Sequence, residues 1–69
     1  VTIISDIGVG VQLLKAALNS AYLNVVINVN FINDDEYVND IKQRTEKLLI
    51  DGNKKADEIW NKVLKILEP

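Results

Sequence analysis

Three consecutive carboxylates, Asp34, Asp35 and Glu36, form the densest group of reactive side chains in the chain. Neighbouring carboxylates suit a hard cation such as Ca²⁺ or Mg²⁺, but the calcium-loop spacing with its central glycine is missing. The same residues also make a helix start. Asn33 has Glu36 three positions on, close to a capping box, and Asp34 and Asp35 then favour the helix dipole. That reading is adopted, and no metal site is expected. A second feature is IISDIGVG, residues 3–10, which holds the first two glycines of a phosphate-cradling G-x-G turn. Leu13 stands where the third glycine belongs, and no second half of a nucleotide fold follows. Gly8 and Gly10 therefore read as a loose helix start or as a close approach of another backbone.

The remaining chemistry is sparse. The chain has no histidine and no cysteine, so the usual general base, thiol nucleophile and soft metal ligands are missing. Ser5 and Ser20 have no context that would activate a hydroxyl, and the carboxylates have capping or ion-pairing duties. A non-enzymatic protein without a cofactor is the expectation. The amides of Asn28 and Asn30 stand beside Val25, Val29 and Phe31, and such a mixture supplies the few polar groups an apolar pocket uses.

The elements that carry these residues divide sharply. Residues 7–32 hold a single charge, Lys15, in 26 positions. Residues 1–33 hold Asp6 and Lys15 alone, while residues 34–69 hold nine acidic and seven basic side chains. One half is greasy and the other wears the charge. A net charge of −2 with interspersed signs argues against nucleic acid, whose backbone needs a basic stripe, and against an anionic membrane surface.

On a helix, Ile7, Val11, Leu14, Leu18, Ala21, Tyr22, Val25, Val29 and Ile32 share one side. Leu13, Leu23, Val26, Ile27 and Phe31 lie between the polar stripes, where a one-faced helix has no use for them. A helix apolar nearly all round is buried on several sides. Two rivals fall short. A membrane span would have to hide Asn19, Ser20, Asn24, Asn28, Asn30 and Asn33 in hydrocarbon. A βαβ unit would pair Val1–Ser5 with the β-branched residues 24–33, making a sheet of only two strands.

The expected fold is all-α and a single domain. A helix to about Ile32, N-capped by Ser5 or Asp6, packs on a charged amphipathic pair, residues 34–51 and 53–67. Tyr37, Val38, Ile41, Thr45, Leu48 and Leu49 make the apolar stripe of the first member. Ala56, Ile59, Trp60, Val63, Leu64, Ile66 and Leu67 make that of the second. Asp40–Arg44 and Glu58–Lys62 are i,i+4 pairs in the favourable order. Gly52 reads as a C′ residue, Asn53 as the next cap and Pro69 as the final stop. The series Val38, Ile41, Thr45, Leu48, Gly52, Ala56, Ile59, Val63, Ile66 keeps helical spacing through Gly52, so one bent or continuous helix is the alternative.

Sixty-nine residues without a disulfide are near the lower limit for a self-sufficient core. A homodimer is therefore expected, with Val11, Leu14, Leu18, Val25, Val29 and Ile32 at its interface. Leu18, Tyr22, Val25, Asn28, Val29, Phe31, Tyr37, Ile41 and Trp60 are the candidate lining of a cavity for a small, lipid-like apolar ligand. Such a carrier is ranked just ahead of an interaction module satisfied by protein alone, and a membrane-active peptide comes third. The missing methionine fits either leader removal or simple excision of the initiator, and an extracellular location is the expectation.

Overall fold

A computed structural model describes residues 2–68, with side chains from Ile3 onward. It contains two helices, α1 (Thr2–Val29) and α2 (Asp35–Leu67), joined by a short turn and packed antiparallel along their length. The described residues include no strand, so the βαβ alternative is excluded. Residues 24–29 are helical despite their β-branched side chains, because Val25 and Val29 turn towards α2 there. Tertiary packing outweighs a propensity difference of a few tenths of a kcal/mol per residue. Val1, the first residue of the rival strand, and Pro69, the expected stop, lie outside the described residues.

The seam follows a heptad. On α1, Ile4, Gly8, Val11, Lys15, Leu18, Tyr22, Val25 and Val29 succeed one another in alternating steps of four and three, and all are buried or half-buried. Such alternation keeps one stripe facing a partner helix. It also explains the early helix start. Ser5 and Asp6 do not cap α1, which begins at Thr2, because the extra turn adds Ile4 to the seam.

The other end closes earlier than the apolar run suggests. α1 stops at Val29, and Phe31 and Ile32 donate backbone hydrogen bonds to the carbonyls of Asn28 and Val29 at 3.2 and 3.1 Å. These i→i−3 bonds tighten the last turn and satisfy two orphan carbonyls. Asp34, not Asn33, is the N-cap of α2; its backbone is extended and its carboxylate accepts from the Tyr37 amide at 3.1 Å. Asp35 and Glu36 then occupy the first turn, where the helix dipole favours negative charge.

The larger correction concerns Gly52. The helical pair is one continuous helix of 33 residues, and no described glycine has positive φ. Gly52 is not a C′ residue and Asn53 caps nothing. A Cβ on Gly52 would lie 2.5 Å from Cδ2 of Leu18, so the missing side chain makes room for Leu18. Gly8 has a similar role, since a Cβ there would stand 3.2 Å from Cγ1 of Val63 and 3.6 Å from the Trp60 ring. Gly10 differs, with open space around the place of its Cβ.

These environments predict opposite outcomes for two substitutions. Gly10→Ala should stabilise the chain by about 1 kcal/mol through helix propensity alone. Gly52→Val should destabilise it by roughly 1–3 kcal/mol, because the branched side chain must displace Leu18. Thermal unfolding followed by far-UV circular dichroism reads both.

Candidate docking surface

Polar groups sit at the middle of the seam. Lys15 Nζ donates to Asp57 Oδ1 at 2.6 Å, joining the two helices. One turn on, Asn19 and Asn53 face each other and exchange hydrogen bonds at 3.0 and 3.1 Å. Each amide also gives its second hydrogen to a carbonyl of its own helix, Lys15 O at 2.8 Å for Asn19 and Leu49 O at 3.0 Å for Asn53. Both donors of each side chain are thus used, and each side-chain oxygen accepts once. The pairs Gly8/Val63, Lys15/Asp57 and Leu18/Gly52 step down one helix as they climb the other, and Asn19/Asn53 lies beside the last of them, so all four fit a single register. The ion pair is partly exposed and contributes at most about 1 kcal/mol. The amide pair is the more selective element, because any slip breaks both of its reciprocal bonds.

The covered seam is thin. Among the described residues only Val11, Val29 and Val63 form a buried apolar core, at 5–8% exposure. Large side chains remain in the open around α1, among them Ile3, Val9, Leu13, Leu14, Leu23 and Ile27, all more than half exposed. α2 shows the opposite character beyond its seam, where its outer face carries Arg44, Lys47, Asp51, Lys54 and Glu58, and Asp40 pairs with Arg44 at 3.8 Å. Two apolar grooves open along one flank. The first, about 230 Å³, is lined by Val11, Leu14, Leu18, Gly52, Ala56 and Ile59 with the stems of Lys15 and Lys55. The second, about 140 Å³, adjoins it at Leu18 and is lined by Ala21, Tyr22, Val25, Thr45, Leu48 and Leu49.

The candidate ligand residues are distributed along the rod. Leu18, Tyr22 and Val25 come together in the second groove. Val29 is buried and Ile41 half-buried nearer the turn. Phe31 is 82% exposed in the turn itself, and Tyr37 is exposed on the first turn of α2. Trp60 lies close to Gly8, more than 20 residues and about 30 Å along the helix from Phe31. Asn28 turns back on its own helix and donates to Asn24 O at 2.7 Å, and Asn30 is exposed in the turn. Of the expected interface residues, Val11, Leu18, Val25 and Val29 face α2 within the same chain, while Leu14 and Ile32 are exposed. Asp34, Asp35 and Glu36 stand at the helix start, and no group of three metal-ligating side chains gathers among the described residues. Among those residues no helix is long and apolar enough to cross a membrane.

Sequence reasoning passed over two features. The Asn19–Asn53 pair was hidden by reading Asn53 as a cap, although the unbroken spacing through Gly52 places it on the inner side of a continuous helix. The seam itself was legible as alternating steps of four and three from Ile4.

Fold and surface together define an antiparallel helical hairpin with a polar lock in its seam and an uncovered apolar helix. The chain belongs to the formiminotransferase-cyclodeaminase family, whose model matches residues 1–47, that is α1, the turn and the first part of α2. Searches among curated proteins and among solved structures gave no match.

The amide lock gives a direct stability test. Asn19→Leu alone strands the Asn53 amide and should cost about 1–2 kcal/mol. Combining it with Asn53→Leu should restore most of that loss, since two apolar side chains then meet. A double variant as unstable as the sum of the singles, measured by thermal melts, contradicts the pairing.

Proposed function

We propose that this chain is a self-associating structural module whose α1 is covered by a second copy. The supporting observation is an excess of surface. The chain exposes 5495 Å², whereas a folded monomer of 7.8 kDa exposes about 4,400 Å². The difference, about 1,100 Å², exceeds the roughly 800 Å² that each partner contributes to a standard interface. The radius of gyration agrees, at 15.9 Å against about 11 Å for a globular chain of this length.

Charge distribution says which helix goes inside. With α1 bearing Asp6 and Lys15 alone, desolvating its open faces removes few charges from water, and the charged outer face of α2 stays solvated. The resulting four-helix arrangement places both copies of α1 at the centre. The grooves are open along their length, so a small apolar molecule would keep one side in water. Pockets for such ligands bury most of the ligand surface, which makes a helix the better occupant.

The family's name joins formimino transfer to cyclodeamination. Under this proposal the chain has the part of a scaffold within any such activity. Sedimentation equilibrium at micromolar concentration is the test. A species of about twice 7.8 kDa is expected, and a monomer throughout the concentration range overturns the proposal.

A further inference from the structure

Resting on that reading, the geometry points to the face that the second copy takes. We infer that it docks on the grooved flank, with the two α1 helices antiparallel and Leu14 of each entering the first groove of the other.

α1 offers two uncovered apolar faces, one carrying Leu13, Leu23 and Ile27 and the other Ile7, Leu14 and Ala17. Both described grooves open on the second, through Leu14 and Ala21. A two-fold interface is isologous, so one patch must carry both a projection and a hollow that receives it. Leu14 is the projection: it is 72% exposed and stands on the rim of the first groove. The hollow beside it is lined on the α2 side by the small Gly52 and Ala56 with Lys55 and Ile59, and Leu18 fills the space directly over Gly52. A leucine placed there would meet Leu18, Ala56 and Ile59 and close the groove to water.

The two flanks also differ in what desolvation costs. The Leu13 face is bordered by Gln12 and by the Asn19–Asn53 pair, whose side-chain oxygens retain lone pairs that water can satisfy. Covering that border removes the water without supplying a donor. The grooved flank is bordered by Leu48 and Ile59; of the two lysines that line it, Lys15 is held by Asp57 and Lys55 has a stem long enough to keep the ammonium in solvent. The second copy therefore seats where both partners lose mainly apolar surface.

Substitutions on the two faces of the full chain decide the matter. Leu14→Asp should abolish the dimer and give a 7.8 kDa species of unchanged helicity, whereas Leu13→Asp should leave the doubled mass intact. Because Leu14→Asp can fail for loss of folding, a second pair of variants reads the face in the intact dimer. The chain has no cysteine, so single cysteines report cleanly. Ala17→Cys should be joined to its symmetry mate by a short bismaleimide and Ala16→Cys should not. Joining through Ala16→Cys, alone or as well, overturns the assigned face while leaving self-association standing. A wild-type chain that is monomeric, with or without an extractable apolar compound, overturns both the face and the reading beneath it.

Discussion

Everything in this hairpin depends on keeping one register between two long helices that are joined only at one end. Apolar seams tolerate sliding, since one valine or leucine packs almost as well as the next. The exchange of hydrogen bonds between Asn19 and Asn53 does not tolerate it. A slip of one heptad would break both bonds of that exchange, setting Asn19 against Glu46 or Trp60 and Asn53 against Gln12 or Val26. Polar residues inside coiled coils commonly trade stability for this kind of specification. Here the trade is mild, because the side chains also bond to their own helices. With that register fixed, Leu18 meets Gly52 and Val63 meets Gly8, so the two glycines fall where a large side chain needs space.

The all-α class was legible because its signals are periodic and redundant. Seven turns of apolar spacing in α1 and an unbroken series from Val38 to Ile66 outweigh any single residue. The boundaries were less legible, and for a common reason. Local rules read Ser5, Asn33 and Gly52 as punctuation, whereas packing between the helices decided the first and last and a neighbouring cap the second. Ile4 extends α1 backwards, Asp34 replaces Asn33 as the cap, and Leu18 makes use of Gly52. A glycine in a helix has two physical meanings, a place to stop or a place to be approached. Sequence spacing alone does not separate them.

The candidate surface shows the same division. The greasy character of residues 7–32 announced that something must cover them, and α2 covers one stripe. Val11, Leu18, Val25 and Val29, expected between copies, lie instead within the chain, because a connected helix is the partner of highest effective concentration. What remains is displaced around the helix, by about a quarter turn at Ile7, Leu14 and Ala17 and by nearly half a turn at Leu13, Leu23 and Ile27. The match to the formiminotransferase-cyclodeaminase family ends at residue 47, so it spans the whole apolar helix and the first 13 residues of the charged one.

The turn between Val29 and Asp35 also sets the order in which the chain assembles. Contacts beside it, around Val25, Val29, Ile41 and Thr45, close loops of about 20 residues or fewer, while the pairing of Gly8 with Val63 spans 55. Loop-closure entropy rises with that separation, so the hairpin zips from the turn outward and frays from the free ends inward. Trp60, packed beside Gly8, sits near the last teeth of the zipper. Its indole senses the open end of the molecule and is nearly blind to the turn. A folding signal taken from the single tryptophan therefore times the completion of the hairpin, long after the first contacts have formed.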